Sequence, residues 1–358
     1  LENNNNTNNN TNNTNNNNNN NNLKKDKKSQ KIQNLEKRIP QIPEQLYNIL
    51  RKQHYQIEDH SAVKLCGWVR KSFLEDKACY KSKFYGINTH RCIQSTPSVI
   101  WCQQQCEFCW RVLPSDLGIN EPNFKAPQWK EPEEVAEDIL NMHKTIITGY
   151  KGIIDRIGTE KYMEATEPKH VAISLAGEPT MYPYIDELIN IFHKKKISTF
   201  VVSNGILTDV IEKINPTQLY MSLDAHDLPS YKKICKGTEQ DWQNILNTLD
   251  ILEEKGRTCL RTTVIKNIND DLSKFAELYD RANVNFIEVK SYMNVGYSRN
   301  RLNLDDMIKH NDLINICKSI EDKSNFKVID DAPESRVVLL SNTTDSRAIN
   351  PKIDFENL

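Results

Sequence analysis

From Pro97 onward, short apolar stretches alternate with longer ones whose apolar residues recur every three or four positions. The short stretches fall at 98–101, 171–176, 198–203, 218–223, 258–265 and 285–290. They are rich in Val, Ile, Leu or Thr, most have turn formers nearby, and they read as strands. Between them, 131–150 opens with Pro132, Glu133 and Glu134 and then repeats apolar Val135, Ile139, Met142 and Ile146 at helical spacing. A second helix is expected over 304–320, after Asn303 as N-cap, with Asp306 in its first turn and Met307, Ile308, Ile314 and Cys317 on its apolar positions. Two more, at 241–254 and 272–282, fill further gaps.

Six strand–helix units in series imply a parallel sheet with right-handed crossovers. A partly closed barrel and an open doubly wound sheet both satisfy that count, and both put function at the carboxyl ends of the strands. Ahead of this region the pattern vanishes. Residues 3–22 are Asn and Thr alone, and 24–31 are rich in Lys and Gln. Such segments cannot bury enough apolar surface to offset their ordering entropy. The expected organisation is therefore a disordered leader over 1–40, an extension over 41–96, an α/β barrel over 97–345 and a tail over 346–358.

Composition narrows the class. Net charge is −1, so no global field advertises nucleic acid, and any such binding must come from local patches. No apolar run approaches the ~20 residues of a membrane span and no secretory signal is visible, which points to the cytosol. The chain opens on Leu rather than Met, marking it as a candidate piece of a longer protein. Nine cysteines in this setting argue for metal or redox chemistry and against a disulfide framework.

Three of them, Cys102, Cys106 and Cys109, form a Cys-x3-Cys-x2-Cys motif at the expected end of the first strand. Three thiolates can hold three corners of a [4Fe–4S] cubane and leave the fourth iron open. Zinc with Cys92 or His90 as fourth ligand is the alternative, disfavoured because no second Cys-x2-Cys or Cys-x2-His pair is present. The motif, with Phe108 before the third cysteine, resembles the signature of the radical S-adenosylmethionine (SAM) superfamily. In that superfamily an electron from the cluster splits SAM into methionine and a 5′-deoxyadenosyl radical. The resemblance extends to Gly177 and Glu178 in Ala-Gly-Glu-Pro, to Ser203 and Asn204 in Ser-Asn-Gly, and to Ser222 and Asp224 in Ser-Leu-Asp. These are its implied SAM-binding residues, each at a strand end, and the implied fold is a partial (β/α)6 barrel with additions at both ends.

Cys66, Cys79 and Cys92 recur at equal steps of thirteen. Lone cysteines more often pack as small hydrophobes. Their surroundings, Lys64-Leu-Cys-Gly-Trp68, Ala78-Cys-Tyr-Lys-Ser-Lys-Phe-Tyr-Gly-Ile87 and His90-Arg-Cys-Ile-Gln-Ser-Thr-Pro97, resemble the tRNA 4-demethylwyosine synthase family. So do Phe108-Cys-Trp-Arg111, Ser174–Thr180, Ser222–Ala225 and Glu288–Met293. The resemblance implies a second [4Fe–4S] cluster on Cys66, Cys79 and Cys92, with Lys81 engaging pyruvate as an ion pair or a Schiff base. It implies a carbon–carbon lyase that condenses N1-methylguanosine-37, in the anticodon loop of tRNA(Phe), with pyruvate. Eukaryotic members carry a flavodoxin-like FMN domain as electron donor, so FMN is expected, if at all, outside this chain. Arg111, Lys290, Arg299 and Arg301 are candidate phosphate contacts. Cys259 and Cys317 read as packing residues, and His90 and His226 as structural ones. A radical SAM RNA-modifying enzyme with one cluster and a zinc-binding RNA module remain competing readings.

Overall fold

The computed structural model describes residues 42–119 and 126–356. The Asn/Thr leader assigned to 1–40 lies outside the described residues. Ten strands form one sheet: β1 (Gln56–Glu58), β2 (Ser61–Val63), β3 (Cys92–Thr96), β4 (His170–Ile173), β5 (Ser198–Ser203), β6 (Gln218–Ser222), β7 (Thr258–Val264), β8 (Phe286–Ser291), β9 (Phe326–Ala332) and β10 (Val337–Asn342). The order is β1-β2-β3-β4-β5-β6-β7-β8-β10-β9. Strands β3 to β8 are parallel and follow chain order. The β1–β2 hairpin continues antiparallel from β3, and β10 and β9 continue antiparallel from β8. With those additions on its two outer strands the six-stranded core stays an open, partial barrel.

The period-two alternation of the strands separates two cores. Outward-facing Ile93, Val171, Ile173, Val201, Leu219, Leu260 and Ile287 pack against the crossover helices, including Val135 and Ile139 of Pro132–Thr148 and Leu188 and Phe192 of Ile185–Lys194. Inward-facing Ala172, Phe200, Tyr220, Cys259 and Phe286 line the lumen. The extension fills that lumen. Helix Tyr80–Tyr85 and the turn after it supply Tyr80, Phe84, Tyr85 and Ile87 to the same cluster. Gly86, at φ 85°, ends the helix in the left-handed region. The tail folds back beneath: Ile353 N donates to Tyr85 O at 3.0 Å, and Phe355 packs on His170.

Two sequence expectations need correction. Residues 98–101 are not a strand; the first parallel strand is Cys92–Thr96, inside the range assigned to the extension. Pro97 lacks the N–H a ladder needs. Val99 N instead donates to His60 O, and Val99 and Trp101 are buried against Leu46, Leu50 and Tyr55. Their apolar character serves that packing, whereas β3, reading Cys-Ile-Gln-Ser-Thr, turns polar residues towards the lumen. The helix expected over 304–320 is interrupted. A 3-10 turn at Leu304–Asp306 gives way to extended Met307, and the helix resumes at His310–Lys318. The break returns Ile308 to the sheet, where its N–H donates to Ser291 Oγ at 2.9 Å.

Phe84 is fully buried at the centre of the lumen helix. Phe84→Ala is expected to cost about 3–5 kcal/mol, read as a lowered midpoint in denaturant unfolding with little change in slope.

Candidate active site in the barrel

The three cysteines of the Cys-x3-Cys-x2-Cys motif lie on a loop after β3, held by hydrogen bonds rather than by regular structure. Gln105 N and Glu107 N donate to the carbonyls of Cys235 and Ile234 at 3.1 and 2.9 Å. Arg301 clamps the far side, donating from Nε to Glu107 O, from Nη2 to Cys109 O and from Nη1 to both oxygens of Asp116. Two glycines allow the backbone approach. A Cβ on Gly177 (φ 69°) would lie 1.6 Å from Ser98 O, and one on Gly296 (φ 59°) 2.2 Å from Trp110 O.

Cys102, Cys106 and Cys109 open onto a cavity of about 290 Å³ at the carboxyl ends of the strands. All six expected SAM-binding residues line it: Gly177 and Glu178 after β4, Ser203 and Asn204 at β5, and Ser222 and Asp224 at β6. Glu178, buried, braces the wall: one oxygen accepts from Thr180 N and Oγ, the other from Asn204 N at 2.7 Å. Burial raises its pKa while those donors oppose the rise. Burial also pushes Asp224 up to about 7, against a 2.6 Å bond from Thr263 N.

Burial pushes the Cys102 thiol up to about 11; Cys106 rises further through its neighbour Cys235 and burial. Arg111 opposes this, donating from Nε to Cys109 Sγ at 3.0 Å. Such thiols hold their protons until a metal displaces them. The donor set suits a cubane: three thiols on one loop beside a cavity that accepts further ligands. Among the described residues, no three His, Cys, Asp or Glu side chains converge as ligands of a single ion.

Cys66, Cys79 and Cys92 are also brought together. Cys66 and Cys79 each precede a helix, Gly67–Leu74 and Tyr80–Tyr85, and Cys92 begins β3. The Cys79 and Cys92 thiols, pushed up by burial to about 11 and 12, sense each other's and Cys66's charge and the opposing charge of Lys81. Lys81 is 8% exposed, its Nζ 4.5 Å from the Tyr220 ring and 4.8 Å from the Phe200 ring. Burial first, and then Arg261, lowers its pKa. These thiols too fit a cubane, with cations beside them to balance thiolate charge.

The candidate phosphate contacts divide. Arg111 is bound to a cysteine, Lys290 lines the cavity and Arg301 is the loop clamp, so these three face inward. Arg299 is exposed. His90 pairs with Glu164 at 2.7 Å and His226 with Asp227 at 3.4 Å, both outside the cavity lining. Sequence reasoning missed Arg261 and the role of Glu288. Glu288, fully buried, accepts from Tyr80 Oη, Tyr85 Oη and both Nε and Nη2 of Arg261. The available signal was charge at inward positions of otherwise apolar β7 and β8.

With Asp224 among the expected SAM-binding residues, SAM binding is expected to tighten as pH rises through about 7, because the ionised carboxylate is the stronger acceptor. Asp224→Asn should flatten this profile. Equilibrium dialysis of labelled SAM across the neutral range provides the measurement.

The model of the radical SAM superfamily matches residues 97–279, and that of wyosine base formation matches 281–342. A curated S-adenosyl-L-methionine-dependent tRNA 4-demethylwyosine synthase of Methanocaldococcus jannaschii is 65% identical over 312 residues, covering 87% of this chain and 100% of that protein. The human protein of that name is 38% identical over 268 residues, 73% of this chain and 36% of its own length. A solved structure described as TYW1 with a lysine-pyruvate adduct bound superposes with a TM-score of 0.82 at 62% identity, covering 87% of this chain and all of that one. With relatives this similar over most of its length, the chain belongs to the tRNA 4-demethylwyosine synthase family of radical SAM enzymes.

Proposed function

We propose that this chain condenses pyruvate with N1-methylguanosine-37 of tRNA(Phe) to form 4-demethylwyosine, as a carbon–carbon lyase with two [4Fe–4S] clusters, one on Cys102, Cys106 and Cys109 and one on Cys66, Cys79 and Cys92. The observation that carries this reading is Lys81: a buried amine against two aromatic rings, with no salt bridge among the described residues, beside the second trio of thiols. The relative described with a lysine-pyruvate adduct supports it.

When bound, SAM and the reduced first cluster supply a hydrogen-abstracting radical. Gly177, Glu178, Ser203, Asn204, Ser222 and Asp224 hold SAM at the mouth of the barrel. Lys81 Nζ first condenses with the keto carbon of pyruvate, and the keto oxygen leaves as water. The N-methyl carbon of the guanosine loses a hydrogen atom and adds to that carbon, whose carboxyl group departs as carbon dioxide with the release of one electron. The exocyclic amine of the guanine then displaces Lys81 Nζ and closes the third ring. The helix Tyr80–Tyr85 excludes bulk water from this step, because its rings fill the lumen. Holding the acceptor in place turns an encounter of two substrates into an intramolecular addition. A base from an anticodon loop can be splayed outward to reach the mouth. The electron donor is of flavodoxin type, with FMN on a domain or protein outside the given sequence, and the setting is the cytoplasm. Among the described residues no helix is long and apolar enough to cross a membrane.

Methylated tRNA(Phe), pyruvate and SAM, incubated anaerobically with reconstituted chain and a strong reductant, should yield 4-demethylwyosine by mass spectrometry of the nucleosides. SAM cleavage without this product would overturn the assignment. Replacing Cys66, Cys79 and Cys92 by Ala should lower bound iron from about eight to about four per chain. Lys81→Met should abolish cyanoborohydride trapping of pyruvate and product formation, while SAM cleavage continues.

A further inference from the structure

The lumen between the second cysteine trio and the SAM cavity carries more positive than negative side-chain charge. Lys81, Arg261 and Lys290 project into it, and the carboxylate beside them, Glu288, pairs with Arg261 at 2.8 Å. Neither Lys81 nor Lys290 has an ion-pair partner among the described residues; each lies over aromatic rings. Burying a charge without a partner is costly. Thiolates of the neighbouring trio balance part of this surplus, and a bound small anion suits the remainder.

Arg261 has the geometry to hold that anion. Its guanidinium is fixed along one edge: Nε and Nη2 donate to Glu288, and Nη2 also donates to Tyr80 Oη at 2.9 Å. Its Cζ lies 4.4 Å from the centroid of the Tyr220 ring, the ring whose centroid Lys81 Nζ approaches at 4.5 Å. The charged ends of Lys81 and Arg261 are thus within about 9 Å of each other, a span that a three-carbon acid and one hydrogen bond can bridge. Nη1 makes no hydrogen bond among the described residues, while the side chain lines the cavity. The hydroxyl of Tyr220 is buried without a partner, leaving one unspent donor beside the two cations. Lys290, two residues beyond Glu288 on the same face of β8, lies 5.4 Å from the Tyr80 ring and, with Lys81, adds positive charge beside Cys79.

We propose that Arg261, aimed by Glu288 and Tyr80, binds the carboxylate of the 2-oxo acid through Nη1 and so presents its keto carbon to Lys81. Arg261 is then a substrate-binding residue, and Glu288 and Tyr80 are positioning residues. This rests on the reading that Lys81 engages pyruvate, and it adds a reason for selectivity: the site takes a short monoanionic 2-oxo acid and disfavours its neutral derivatives. With its Nε–Nη2 edge fixed on Glu288, the guanidinium presents Nη1 in a set direction, as a freely rotating ammonium does not.

The test is equilibrium dialysis of radiolabelled pyruvate, and separately of methyl pyruvate, against the cluster-loaded chain. Arg261→Gln should weaken pyruvate binding about tenfold to a hundredfold, Arg261→Lys less, and methyl pyruvate should bind weakly to all three proteins alike. Undiminished pyruvate binding in Arg261→Gln overturns the proposal. So does an equal loss for acid and ester, which would mark a purely structural role, and so does failure of the unsubstituted chain to bind pyruvate at all. Iron and sulfide counts on each variant check the second cluster; if Arg261→Gln loses it, the acid-to-ester ratio in Arg261→Lys decides. Lys81→Met should keep Arg261-dependent binding while losing cyanoborohydride trapping. Arg261-dependent binding in an unsubstituted chain that traps no pyruvate would sink the covalent role of Lys81 and leave the Arg261 assignment standing.

Discussion

The carboxylate of Glu288 has no access to water and lies where three parts of the chain meet. It takes hydrogen bonds from the two tyrosines that flank the lumen helix and from the guanidinium of the adjacent strand. A charge so buried is tolerable when its lone pairs are occupied and an opposite charge adjoins it, and removing a partner from such a pair costs about 3–5 kcal/mol. Burial pushes its pKa up most strongly, but Arg261, Lys81 and the hydrogen bonds from Tyr85 and Arg261 together outweigh it and hold Glu288 below the ordinary carboxylate range. The orientation of helix Tyr80–Tyr85, and through it the approach of Cys79 and Lys81 to the barrel interior, follows from this one set of bonds.

At the mouth of the barrel the constraint is of another kind. The loop carrying Cys102, Cys106 and Cys109 has no regular structure to hold it. Rigidity comes from its neighbours: the 234–235 carbonyls on one side, Arg301 on another, and two glycines that let the loops after β4 and β8 come close. The result is three half-buried thiols, all facing one cavity with the expected SAM-binding side chains. Lys290 and Arg261 line this cavity and also lie beside the second cysteine trio. The SAM-side cavity and the second cysteine trio thus share a wall.

Much of the site was legible from local pattern, because the chemistry is local in the chain. A Cys-x3-Cys-x2-Cys loop is a single turn of backbone, and each short motif falls at the end of a strand that hydrophobic alternation already marks. Gly177, Glu178, Ser203, Asn204, Ser222 and Asp224 converge since parallel strands in chain order put their carboxyl ends side by side. The first strand was misplaced for an instructive reason. Apolar residues at 98–101 are buried by the extension, while the polar run Cys92–Thr96 is the one that enters the sheet.

By itself, the sequence determined five of the six parallel strands, β4 to β8, and the two cysteine trios, since periodicity and spacing are properties of neighbouring residues. Only tertiary structure decided that the extension fills the lumen, that Arg111, Arg301 and Lys290 turn inward instead of towards a nucleic acid, and that Arg261 meets Glu288. Those facts depend on residues far apart in the chain, such as Tyr80 and Glu288, meeting where water is excluded. There the cost of an unpaired charge, which no local window records, selects the partner.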